Sequence, residues 1–460
     1  MQTHPHRLHR WPGATFLFFC FLGTAAAAQT ASEESATLRK ILERLDRLEQ
    51  QNRELTVEVG ALRKELAEAR TAPAGAETAK ATPDLPERMD VEEHRVEEMA
   101  QTKVESSQHF PIRITGMALF NSYINSNSSA PDVPTVVGPG SGPLTGGATM
   151  RQTVIGLDYQ GPEIFGGGKV NGFLSMDFFG ANSDPYGGGF RIRTGGIEFN
   201  WADTSVMVGQ DRPLISPREP NSLAQVWVSP LSGAGNLWVW QPQLRVEQRF
   251  HLGDSNTLRA QASVFETREA YTGVPPAYGS IQAARPSAQE RVALAHNFDD
   301  TRRIEFGSGF AQSTTHVAAT TVPSRVFSLD WFANPWRKLE FSGAFFRGQD
   351  VTNLGGAGTG FTLTNPYYAI PVHADGGWAQ LSFLATSRLT FNLFGGEQQN
   401  RGRDLYLSDL AKNQTYGANV MYRIAPNVIL SLESEQLRTT YLGTGRPLNN
   451  HYDLGVAYLF

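Results

Sequence analysis

The chain has 460 residues, 40% of them hydrophobic, a formal net charge of −5 and a mean hydropathy of −0.31. After the N-terminal segment no run approaches the roughly 20 apolar residues of a membrane helix, which excludes a helical membrane protein but not one that crosses with alternating strands. The single cysteine, Cys20, excludes a disulfide framework, and the charge balance excludes the net-basic face that nucleic acid requires.

Residues 1–28 carry Arg7 and Arg10, an apolar stretch from Ala14 to Leu22, and Ala26-Ala27-Ala28 before Gln29. This is the pattern of a secretory signal peptide cleaved after Ala28. Phe18 and Phe19 precede Cys20, where a lipid-anchored cysteine calls for a small residue. The mature chain is then exported and free of thiols.

Residues 29–70 read as an α-helical coiled coil. Leu38, Leu45, Asn52, Val59 and Leu66 occupy a positions, and Ile41, Leu48, Leu55, Leu62 and Ala69 occupy d positions. Arg44 can meet Glu49 of a neighbour, and Glu58 can meet Arg63, as a parallel assembly places them. So narrow a seam cannot be buried by one helix, so a homo-oligomer is expected; Asn52 at a leaves dimer and trimer open. Residues 71–110, rich in Ala, Pro and acid, read as a periplasmic tether.

From residue 111 to the end, period-two segments recur between Gly, Pro, Asn and Asp. They predict strands near 112–124, 150–160, 169–181, 189–201, 204–210, 237–250, 257–267, 288–298, 303–313, 325–333, 338–349, 377–386, 388–398, 412–424, 427–440 and 450–460. The connections alternate between mostly long and mostly short, which sorts them onto opposite rims. That is the organisation of an all-β, transmembrane antiparallel β-barrel of about 16 strands, with short periplasmic turns and long external loops. The last segment, His451 to Phe460, alternates Tyr452, Leu454, Val456, Tyr458 and Phe460 against Asp453, Gly455 and Ala457, as a closing strand with one lipid-facing side requires.

Alternation also assigns the pore. In the sixth strand Leu244, Val246 and Phe250 face lipid, so Gln241, Gln243, Arg245, Glu247 and Arg249 face the lumen. In the fourth, Arg191 and Arg193 share the parity of Ile197 and Phe199, and a bulge at Gly195-Gly196 is expected to return both to the lumen. The loop after the fifth strand holds Leu214, Ile215, Leu223, Val226, Trp227 and Val228, too apolar for a solvated excursion. Folded inward, it brings Asp211, Arg212, Arg218 and Glu219 to a constriction. Residues 111–460 hold 26 basic and 27 acidic groups, 23 of the basic ones arginine, which suits fixed recognition of carboxylate or phosphate. The histidines are scattered, and no H-E-x-x-H or G-x-S-x-G occurs, so neither catalysis nor a metal or cofactor is expected.

Signal peptide, coiled coil, acidic tether, about 16 strands and terminal Phe460 together resemble the DcaP-like family of trimeric outer-membrane porins. Val206 to Leu214, V-M-V-G-Q-D-R-P-L, is similar to that family's passage into the constriction. The resemblance implies a homotrimer in the outer membrane, passing small anionic solutes, dicarboxylates in particular. Its partners would be outer-membrane lipids and, for a stalk reaching the cell wall, peptidoglycan. The alternative expectation is a structural anchor that carries such a stalk without transporting anything.

Overall fold

The computed structural model describes residues 111–127, 136–138, 142–180, 188–269, 281–282, 284–317, 319–365 and 367–460. The signal peptide, coiled coil and tether expected over 1–110 lie outside the described residues.

Sixteen long strands form one wall, in chain order β1 Ile112–Asn125, β2 Val154–Ile164, β3 Gly168–Asp177, β4 Arg191–Asn200, β5 Thr204–Asp211, β6 Gln241–His251, β7 Asn256–Arg268, β8 Ala284–Asn297, β9 Arg303–Val317, β10 Thr320–Trp336, β11 Leu339–Gln349, β12 His373–Leu384, β13 Leu389–Asn400, β14 Leu410–Ala425, β15 Val428–Tyr441 and β16 Leu448–Leu459. Each pairs antiparallel with the next, and β1 closes the barrel on β16 with Met117 opposite Leu459 and Asn125 opposite His451. Closure leaves no long edge unpaired. Each expected strand has its counterpart, and the differences fall at the ends.

Two of these differences have a physical cause. The expected break between 313 and 325 is absent: β9 runs to Val317 and β10 starts at Thr320, because Thr314, Thr315, Val317 and Val322 are β-branched residues that extend the ladder almost to its turn. The segment expected from 150 starts later, and a short strand not expected precedes it. Thr145–Thr149 pairs with the outer end of β1, while β2 begins only at Val154 and pairs with the inner end of the same strand.

The wall is apolar outside and polar inside. Outward, Leu244, Val246, Val292, Leu294, Phe306, Phe341, Leu393, Leu432 and Tyr458 are exposed. Inward, Gln243, Gln289, Asp330, Gln380, Asn392, Asn419, Glu433 and Asp453 are buried. So much contiguous exposed apolar surface is untenable in water and suits a hydrocarbon environment. Among the described residues no helix is long and apolar enough to cross a membrane, so any crossing is made by the strands. At the short-turn rim Trp336, Phe165 and Phe460 are exposed, and Trp201 donates its Nε1 hydrogen to the Phe165 carbonyl at 3.0 Å, an interfacial aromatic arrangement.

Wall height varies around the barrel. β3, β4 and β5 have 10, 10 and 8 residues, against 15 and 17 in β9 and β10. At about 3.3 Å per residue and about 40° of tilt, eight residues span about 20 Å along the membrane normal, short of the apolar band of about 25 Å.

Candidate functional site: a loop folded across the lumen

Residues 212–240, between β5 and β6, turn into the barrel. Their apolar side chains cause this: Leu214, Ile215, Val228, Leu231 and Leu237 are all buried. Ile215 and Leu237 pack with Phe265, Ala311, Val326, Phe346 and Ala374 of the inner wall. Leu223 packs with Leu119 of β1 and Ala457 of β16.

Polar wall residues hold the loop's backbone around the lumen. Leu214 N donates to Gln289 Oε1 at 2.8 Å, Asn221 N to Gln380 Oε1 at 2.7 Å, and Val226 N to Gln152 Oε1 at 2.6 Å. Asn121 Nδ2 donates to the Leu223 carbonyl at 2.8 Å, and Asn413 Nδ2 to that of Gly233 at 3.0 Å. The loop is thus tied to β8, β12, β14 and β1. At Gly235 the fit leaves no room for a side chain: φ is +99°, and a Cβ would lie 2.1 Å from the Gly377 carbonyl oxygen.

The ion pairs of the lumen gather where this loop faces β4–β10, while Glu433, Glu435 and Asp453 are buried on the β15–β16 wall, where Ser222 of the loop donates to Glu433 at 2.7 Å. Arg245 on β6 donates to Asp211 Oδ2 at 2.9 Å and contacts Glu198 at 3.3 Å. Arg212 pairs with Glu219 across the loop, and Ser229 Oγ donates to the same carboxylate. Burial, the largest single influence, would raise the Glu219 carboxyl, but Arg212, the Ser229 hydroxyl and Arg193 together outweigh it and hold the group below its ordinary range, so it stays ionised. Arg249 lies 3.6 Å from Glu247.

Arg191 and Arg193 do face the lumen, but the bulge is not at Gly195-Gly196. The ladder slips between Ser175, opposite Thr194, and Met176, opposite Ile192, so Arg193 is the inserted residue. Ile192 then points outward and is exposed. Both arginines reach the Asp177 carboxylate, Arg191 through Nε at 3.0 Å and Arg193 at 3.5 Å. Arg193 also donates to the Val226 carbonyl at 2.5 Å, and Arg191 to that of Trp227. Trp240 stacks on both guanidinium groups, at 5.3 and 4.7 Å.

Among the sequence-derived candidates, Asp211 meets Arg245, Arg212 meets Glu219, and Arg249 meets Glu247. Arg218 joins none of these candidate acids: it binds Glu305 of β9 at 2.8 Å and stacks on Phe332. Glu305 belongs to a cluster absent from the sequence reading. Arg291 of β8 donates Nη2 to Asp330 Oδ1 at 2.7 Å and to Glu305 Oε1 at 3.0 Å, and its side chain is only 1% exposed. Gly307 makes room for it, since a Cβ there would come within 2.5 Å of both Arg291 Nη2 and Asp330 Oδ2. A signal existed: Gln289 and Arg291 alternate with Val292 and Leu294, as the sixth-strand arginines alternate with their apolar neighbours.

Eight arginines (191, 193, 212, 218, 245, 249, 259 and 291) thus interleave with seven carboxylates (177, 198, 211, 219, 247, 305 and 330). With signs so nearly balanced, net charge cannot dominate what the site prefers, and which groups meet water matters more. Arg212, Arg218, Arg245 and Arg249 keep 17–30% of their side-chain surface exposed, so they can exchange a partner for a passing solute, whereas Arg291 cannot.

No protein-family profile matches the chain, and no curated protein matches it in sequence. Solved structures do share its fold. The outer membrane channel DcaP of Acinetobacter baumannii aligns over 76% of this chain and 97% of its own, with a TM-score of 0.62 at 16% identity. The anion-selective porin from Comamonas acidovorans aligns over 76% of this chain and 99% of its own, with a TM-score of 0.52 at 13% identity. The fold is that of the porin-type outer-membrane channels, with DcaP among its structural neighbours.

Proposed function

We propose that this protein is an outer-membrane porin through which small hydrophilic solutes diffuse passively, with a preference for small anions such as dicarboxylates. One observation carries the reading. A closed barrel, apolar outside, is crossed by its own loop, and that loop brings partly solvated arginines against the β4–β6 wall. A guanidinium fork can donate to both oxygens of a carboxylate at once. The interleaved acids, Glu219, Asp211 and Glu247, limit trapping, so an anion is attracted without being retained. The fold shared with an anion-selective porin supports the same sign of preference.

We further propose a homotrimer in the outer membrane with the long loops outward. The low wall of β3–β5 suits contact with a neighbouring protomer rather than with lipid, and the heptads of residues 29–70 call for partner helices.

The test is recording from the purified protein in a planar bilayer under a salt gradient. Discrete conductance steps with an anion-directed reversal potential are expected. A barrel that inserts without conducting would sink the channel reading in favour of a structural anchor.

A further inference from the structure

We propose that the outer face of β10–β13, at the rim carrying the long loops, binds the phosphate group of an outer-leaflet glycolipid. This deepens the outer-membrane reading above and rests on it. Arg347 stands opposite Phe327 on one side and Asp375 on the other, and Asp375 stands opposite Gln399. In the next row toward the rim Arg325 is opposite Gln349, and Gln349 is opposite His373. Arg401 closes the row, its backbone N–H donating to the His373 carbonyl at 2.8 Å. Arg325, Arg347, Arg401 and His373 together line a groove of about 390 Å³ whose one lining carboxylate is Asp375.

These side chains are on the lipid side of the wall. Arg325 shares its parity with exposed Phe327, and Arg347 with exposed Phe341 and Phe345, while the intervening Val326 and Phe346 are buried inside. They also differ from the arginines of the lumen. Each of the eight named above has a carboxylate partner, whereas among the described residues none lies within ion-pairing distance of Arg325, Arg347 or Arg401. His373 is held from behind by Asp404, with Nδ1 2.8 Å from Oδ2.

The depth is right for a headgroup. From Arg325 to Trp336, the exposed aromatic at the opposite rim, β10 runs eleven residues, which at about 3.3 Å each and about 40° of tilt is about 28 Å along the normal. That is close to the apolar band of about 25 Å, so the groove sits where hydrocarbon ends. Below it Phe327, Phe345, Leu381, Phe383, Phe391 and Leu393 offer an apolar lane for acyl chains. Unpaired arginines above such a lane match a ligand that joins phosphate to hydrocarbon. The face also lies across the barrel from the low wall of β3–β5, leaving it toward lipid if that wall is the contact between protomers.

Native mass spectrometry of the full mature protein in detergent tests this, with diphosphoryl lipid A, its fully dephosphorylated form and inorganic phosphate as probes. The parent should retain the diphosphoryl lipid over the dephosphorylated one. The triple variant Arg325→Gln, Arg347→Gln, Arg401→Gln should lose that retention by about tenfold or more, while Arg438→Gln, an exposed arginine on β15 outside the groove, should not. Heat-modifiable migration of the triple variant establishes that its barrel is intact. Equal retention of both lipids, or by parent and triple variant alike, overturns the proposal. Displacement of the lipid by millimolar inorganic phosphate would make this a free-anion site and also overturn it, as would dissociation of an oligomer in the triple variant. Bilayer conductance is read separately, so loss of lipid binding with normal conductance leaves the porin reading standing.

Discussion

The β4–β6 wall and the β8–β10 wall both present arginines to the lumen, yet they use them in opposite ways. On β6, Arg245 and Arg249 keep 20% and 30% of their side-chain surface exposed beside carboxylates that are themselves partly solvated. On β8, Arg291 is sealed between Glu305 and Asp330, with Gly307 shaped around it. A charge pair in water is worth little and is readily exchanged, whereas one out of water is severely penalised when broken. The same residue type is thus left partly open to water on one wall and locked between carboxylates on the other.

The sharpest way to break that contrast is Arg291→Ala. It strands Glu305 and Asp330, and we expect a loss of about 3–5 kcal/mol of barrel stability, read as a lower temperature for the loss of heat-modifiable migration. Arg249→Gln should change the same measurement by less than about 1 kcal/mol. Equal effects would erase the distinction between the walls.

Gly235→Ala strikes the loop that separates them. A Cβ 2.1 Å from the Gly377 carbonyl, on a backbone at φ +99°, should cost about 1–3 kcal/mol and push the loop off the β12–β13 wall. Single-channel conductance should change, with more open-channel noise, while barrel stability falls less than in Arg291→Ala. Unaltered conductance would mean that the loop does not bound the open path.

Replacing Arg212, Arg218 and Arg245 together by glutamine removes solvated cations and leaves Glu219, Asp211, Glu198 and Glu305 behind. The reversal potential should move toward cation preference, most strongly at low salt, and uptake of a small dicarboxylate should slow. An unchanged reversal potential would return these arginines to structural ion pairing.

The smallest effect concerns the outer rim. Burial first, and the adjacent Glu269 carboxylate second, push the Asp350 carboxyl well above its ordinary range. The folded rim therefore holds a proton that the unfolded chain releases, and its stability should fall as pH rises above about 4, the ordinary carboxylate value, until the folded group itself titrates. Asp350→Asn should flatten that dependence in limited proteolysis of residues 350–372; asparagine tolerates the backbone there, where φ is +52°. A persisting slope would place the titration elsewhere.

About sixteen strands, their antiparallel order and the two faces of strands with clear alternation, such as β6 and β16, were legible in the sequence, because a strand's alternation is local and an apolar surrounding enforces it residue by residue. The inward course of residues 212–240 was legible too, since six large apolar side chains cannot remain in water. What alternation could not reveal was partnership. Arg218 binds Glu305, a partner on another strand, and Arg193 enters the lumen through a slip at its own position rather than at Gly195-Gly196. Both outcomes depend on which strands stand opposite and how far one slides past the next. Residues more than eighty positions apart, such as Arg218 and Glu305, are brought together only when the barrel closes, and that register is a property of the assembled wall, not of any segment within it.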